Sequence, residues 1–173
     1  MHAFLTFCQW LDSTALAQAM RGSKPEFAYL FPVVEAFHIL GIVLLVMSTS
    51  ILALRMLGVT FCEDRVSKLS RQFLPWAWAG FGVQLVTGFL LFAAEAVKCY
   101  HNSAFWIKMG LIGLATINIL VFYETIYRRV KAWDEARFAP LAARTYAVAS
   151  ILLWFAITGV GRWLNSSIQN YLG

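Results

Sequence analysis

The stretch FPVVEAFHILGIVLLVMSTSILAL, residues 31–54, decides the fold. It is longer than the roughly 20 residues an α-helix needs to cross about 30 Å of hydrocarbon. Its two ionisable side chains, Glu35 and His38, stand three apart and share one helix face. Such a group costs about 2.5–3.5 kcal/mol at the bilayer centre on insertion scales, so it marks a functional site by default.

Three more runs have the same character. Residues 73–95, 104–127 and 145–164 complete a set of four expected spans. The expectation is one all-α domain over 1–173, a polytopic membrane four-helix bundle. Pro32 and Pro75 fall near the starts of the first two spans, where a missing N–H costs little. Phe4, Phe7, Leu11 and Ala15 recur at helical spacing, so residues 3–20 form a short amphipathic helix. That helix either lies in the membrane interface or caps the bundle. The segment lacks a basic n-region and is interrupted by Gln9, Asp12 and Ser13, so it does not read as a cleavable signal.

Composition agrees with this reading. The chain is 60% hydrophobic and only 13% charged, where a soluble domain is near 25%. Seven tryptophans suit the interface. The net charge of +5 is not a nucleic-acid signal, because the basic residues sit in short loops between apolar runs. Arg55, Arg65, Lys68 and Arg71 follow the first span, and Arg128, Arg129, Lys131, Arg137 and Arg144 follow the third. The positive-inside rule makes both loops cytoplasmic. The expected location is a bacterial inner membrane, with both termini periplasmic.

Depth along each span then brings the polar residues together. Glu35 and His38, Glu95, Lys108 and Arg162 all fall in the half away from the basic loops. Gly80, Gln84, Thr87, Gly88, Leu91 and Glu95 form one stripe, Lys108, Ala115 and Asn118 a second, and Thr158, Gly159 and Arg162 a third. All three should face the interior, as small and weakly polar residues do between membrane helices. Glu124, near the opposite boundary, is placed to pair with Arg128.

Such a cluster suits a redox cofactor. Neutral imidazole is a usual ligand of heme b, and four-helix bundles hold cofactors between facing helices. His38 is the candidate iron ligand, with Lys108 and Arg162 placed for propionates and His101, Met109 or Lys108 for the second axial position. A quinone needs only the histidine and one more hydrogen-bonding group. A metal site drawing on His2, His38, His101 and Glu35 or Glu95 is a weaker alternative. The plainest alternative makes Glu35 a strut paired with Lys108 or Arg162, in a structural anchor for a periplasmic protein. A metal- or small-molecule-binding or transport protein is the other non-catalytic reading, and a subunit of an electron-transfer complex the redox one. Cys8 and Cys99 share the outer side and are able to pair there, with Cys62 reduced on the inner side. No phosphate loop, nucleophile elbow or zinc-protease signature occurs.

The runs HILGIVLLVMSTSILALRMLG (38–58), LPWAWAGFGVQLVTGFLLFAAEA (74–96) and YHNSAFWIKMGL (100–111) resemble a bacterial membrane family of unknown function over nearly the whole chain. The resemblance implies four spans and no activity. Its pattern carries an acid before the Leu-Arg pair, where this chain has Ala53. A more distant likeness joins His38 and Arg55 to small four-helix membrane proteins of the copper-resistance-D and heme-binding protoporphyrinogen-oxidase types, and by analogy implies heme at His38.

The orientation is testable by reporter fusion. Alkaline phosphatase joined after the fourth span is expected to be active and a fluorescent protein there dark. The reverse pattern inverts the assignment.

Overall fold

The computed structural model describes residues 2–125, 127–134, 136 and 139–170. Among them are seven α-helices and no strand: α1 His2–Asp12, α2 Ala15–Met20, α3 Leu30–Leu57, α4 Val66–Ala94, α5 Ala96–His101, α6 Ser103–Thr125 and α7 Leu141–Asn170. Helices α3, α4, α6 and α7 are each long and apolar enough to cross a membrane. All four expected spans are therefore present, and each except α6 extends beyond the bounds read from hydropathy. The extension moves Pro75 to the interior of α4 rather than near its start. Hydropathy missed this because the first two turns of α4, VSKLSRQF, are polar and project beyond the apolar run.

Local chemistry sets the helix ends. The chain leaves α3 through Gly58, whose φ of 74° lies in the left-handed region. Its N–H returns to the Arg55 carbonyl while Val59 N–H reaches Leu54 O, which satisfies carbonyls at the helix end. The expected single helix over 3–20 is two helices. Ser13 and Thr14 bond back to the carbonyls of Trp10 and Leu11, and Thr14 Oγ1 then accepts from Ala17 N–H as the cap of α2.

The spans are arranged in the order α4, α3, α7, α6, with α3 packed on both α4 and α7 and α6 on α7. Between α4 and α6 the backbones barely meet. Stacking of Phe92 on Phe105, with ring centroids 5.3 Å apart, bridges these two helices at one end. Helices α1, α2 and α5 gather at that same end. Cys8 and Leu11 of α1 are buried against Ala93 and Ala96, and Met20 of α2 against Val34 and Ala94. Full burial of a side chain such as Met20 is worth about 1.5–3 kcal/mol. The N-terminal segment thus caps the bundle, while Phe7 and Trp10 remain exposed on its outer face at 42% and 61%, as an interfacial aromatic face requires.

At the basic end, Arg55 is 1% exposed. Its guanidinium donates to Asp64 O at 2.7 Å and to Ala136 O at 3.1 Å, tying the two basic loops together. Asp134 accepts from Ser67 N–H at 2.8 Å and from the Ser67 hydroxyl, and so caps the start of α4 from the other loop. Glu124 pairs with Arg128 at 2.8 Å, as expected.

The closest helix contact is α3 on α4. A Cβ on Gly80 would lie 2.8 Å from Leu45 N and 2.9 Å from Gly41 O, both backbone atoms. A Cβ on Gly41 would meet only the side chains of Val83 and Gln84, at 2.9 and 3.0 Å. Gly80→Ala should therefore cost about 1–3 kcal/mol by overpacking. Gly41→Ala should cost less, because side chains can yield. Gly82→Ala, with nothing within 4 Å, should be neutral. Detergent-unfolding midpoints of the three variants check this order.

Candidate functional site

The close α3–α4 contact places His38 beside α4. His38 Nδ1 lies 2.8 Å from Thr87 Oγ1, and Thr87 Oγ1 donates to its own helix at Val83 O, 2.6 Å away. A hydroxyl has one proton. With Val83 taking it, the threonine oxygen can only accept, so the imidazole donates from Nδ1. That tautomer leaves Nε2 with its lone pair. Gln84 Nε2 donates to the His38 carbonyl and holds the backbone as well. Gly88 completes the seat: a Cβ there would come within 3.4 Å of His38 Cε1.

Lys108, one turn into α6, is half-buried and close enough to His38 to act on it electrostatically. Its amine lies against α7 where that helix carries no side chain, since a Cβ on Gly161 would be 3.3 Å from Nζ. Among the described residues it makes no hydrogen bond or ion pair. Glu35 accepts from Asn165 Nδ2 of α7 at 3.1 Å, rather than from Lys108 or Arg162. Glu95 closes α4 and pairs with Lys98 at 2.7 Å.

The expected cluster thus divides. His38, Gln84 and Lys108 come together, and Glu35 stands one turn above His38. Arg162 is exposed on α7, two turns before its end. The third stripe, Thr158, Gly159 and Arg162, faces outward. The interior face of α7 instead carries Ile157 and Gly161, one residue out of step with the expected set, while Asn165, itself exposed, reaches Glu35 from the edge of that face. On a helix one residue is a turn of about 100°, enough to exchange an inner face for an outer one. His101 is exposed on α5, its ring edge-on to Tyr100 at 5.0 Å, and Met109 is 47% exposed. The side chain of His2 lies outside the described residues. No group of three or more His, Cys, Asp or Glu able to hold a metal ion occurs among the described residues.

Three residues of the polar network went unrecognised as partners. Asn165 holds Glu35, Ser150 accepts from Asn118 at 2.6 Å, and Ser167 accepts from Asn102 at 2.8 Å. Matching depth across spans was the available signal. Glu35 is near the start of α3 and Asn165 near the end of α7, so antiparallel packing puts them level.

Cys8 and Cys99, at this end of the bundle, and Cys62, in the loop between α3 and α4, are free thiols. Burial, then the Glu95 carboxylate, pushes the Cys99 thiol up to about 12, and burial raises Cys8 as well.

The chain belongs to a family of unknown function (DUF6644), which matches residues 8–167. No curated protein and no solved structure matches it.

Two measurements follow from this geometry. Thr87→Val leaves the His38 N–H without its acceptor and should cost about 1–3 kcal/mol in an unfolding titration, whereas Thr87→Ser should retain most of the stability. The thiolate is the reactive form, and Cys99 stays protonated until pH approaches 12. Maleimide at neutral pH should therefore label half-buried Cys62 and spare Cys8 and Cys99, read by intact mass. Early labelling of Cys99 would show that its pocket is open.

Proposed function

We propose that this member of a family of unknown function is a multi-pass redox protein of the bacterial inner membrane that holds heme b through His38. One observation carries the reading. Thr87 accepts from Nδ1 of the half-buried imidazole, which leaves the lone pair on Nε2. Histidines that bind metals are oriented in this way, by donating their other N–H to a protein acceptor. Lys108 stands beside His38 as the cation for a propionate, and the bare backbone at Gly88 leaves room for the ring. The heme, when bound, supplies one-electron chemistry. The chain's own part is to orient the ligand, balance an anionic group and exclude water below the cap of α1, α2 and α5. His101 and Met109 are both exposed, so His38 is the residue of this chain that would hold the group. The distant likeness carried by His38 and Arg55 points the same way. On this reading both termini are periplasmic and the chain serves an electron-transfer complex.

A second reading is favoured by one feature. The sparse contact between α4 and α6 leaves the His38–Lys108 pair approachable from the side. A lipid-soluble quinol fits that route, its hydroxyl donating to Nε2.

An absorption spectrum separates the two. Protein expressed with added heme precursor should show a Soret band that is lost in His38→Ala and weakened in Thr87→Val. A colourless preparation overturns the heme reading. Organic extraction then tests for quinone, whose retention should fall in Lys108→Met.

A further inference from the structure

Cys8 and Cys99 are buried thiols for which the His38 site has no use. Their exposures are 0% and 5%. They belong to different helices, α1 and α5, whose Cα atoms approach within 8 Å. Among the described residues neither sulfur is taken by a hydrogen bond.

Neighbours on both sides bring the two to one level. One turn before Cys8, Phe4 lies on Tyr100, with ring centroids 5.9 Å apart, and on Trp106 at 5.6 Å. One turn after it, Leu11 shares a buried cluster with Cys8, Ala93 and Ala96. Residues 4, 8 and 11 share one face of α1, and residues 96 and 99 share one face of α5. Cys8, between Phe4 and Leu11, therefore stands beside the turn from Ala96 to Tyr100, which holds Cys99. Burial and then Glu95 raise the Cys99 thiol most, and Cys8 adds to the effect, so the two sulfurs lie within electrostatic reach of each other. A disulfide spans Cα atoms about 4.4–6.8 Å apart, close to the approach of these helices.

We propose that Cys8 and Cys99 form a disulfide that latches the N-terminal cap onto α5. The bond is made by exchange with a disulfide oxidant. One thiolate attacks a sulfur of the oxidant, which gives a mixed disulfide and releases the first thiol. The second thiolate then displaces the oxidant's other sulfur. The cysteines lose two protons and two electrons, and the oxidant gains both and leaves as two thiols. Burial keeps the docked thiols protonated and slow to react, so the bond forms before α1 docks, and docking then shelters it from reductants. Disulfide oxidants belong to the periplasm, so the latch rests on the orientation proposed above and not on what His38 holds. The bond ties α1 to the turn that follows α4, and the cap then cannot lift from the end where His38 lies.

The test uses the full chain with Cys62→Ser, which leaves Cys8 and Cys99 as its thiols. Cells are quenched in acid, and the denatured protein is alkylated with N-ethylmaleimide. Intact mass should show no adduct before reduction and two after it. Trypsin on the purified, unreduced protein should cut at exposed Arg21, and the piece 1–21 should stay attached until a reductant is added. With Cys99→Ser in the same background the piece should leave at once. Two adducts without reduction overturn the proposal, and so does a disulfide between two copies of the chain. The reporter fusion then assigns the failure: periplasmic termini with free thiols sink the pairing, and cytoplasmic termini sink the orientation. Reduced, purified protein given oxidised glutathione tests the pairing without regard to compartment. It should lose both adducts, whereas stable uptake of two glutathiones means that the sulfurs do not meet. If Cys62→Ser does not fold, the unaltered chain serves, with one adduct expected before reduction and three after.

Discussion

Everything specific in this bundle depends on how closely α3 approaches α4. In a membrane there is no hydrophobic drive between helices, because lipid tails are as apolar as leucine. Association rests on close packing and on polar links. Gly80 supplies the first by letting the backbone of α3 come within reach of its own. The second follows from it: only at that separation do Thr87 and Gln84 of α4 reach the ring and carbonyl of His38. A bulkier contact would leave His38 a costly donor facing lipid.

The α6–α7 pair works differently. Apart from Ala104 and Ala115, α6 buries little. Its attachment runs through side-chain hydrogen bonds spaced along the helix: Asn102 to Ser167 at one end and Asn118 to Ser150 deeper in. Such bonds contribute modestly, about 0.6 kcal/mol on average between membrane helices. They are worth more as register marks, since a shift of one residue breaks both together. Lys108 lies between these two links on the same face, so the register they set also decides where its amine points.

Hydropathy and charge made the gross architecture legible. Four spans, the two basic loops at one end and the polar residues at the other all follow from long-range composition. The failures were of phase and extent. The buried face of α7 was misjudged because its polar residues run on more than one side of the helix: Thr158 and Arg162 face out while Asn165, also exposed, turns toward Glu35 of α3. A span with polar residues on two faces has no stripe that periodicity alone can rank. Helix ends were read short because α4 and α7 continue as polar helix beyond the apolar runs. The site was half legible. His38, Gln84 and Lys108 announced themselves by cost and depth, but the proton on His38 did not. It depends on a threonine hydroxyl whose own proton is committed within its helix, which no spacing rule reveals.

The buried Arg55 also sets an order of assembly. Among its carbonyl partners, Asp64 follows within nine residues, whereas Ala136 lies 81 residues further along the chain. At ~5–20 residues per second, ribosomal synthesis takes roughly 4–16 s to cover that distance. Through this interval the guanidinium lacks its Ala136 acceptor. The link between the two loops can therefore close only after the second hairpin has been made. The side chain that ties the two loops together in the finished protein thus joins parts of the chain that are made several seconds apart.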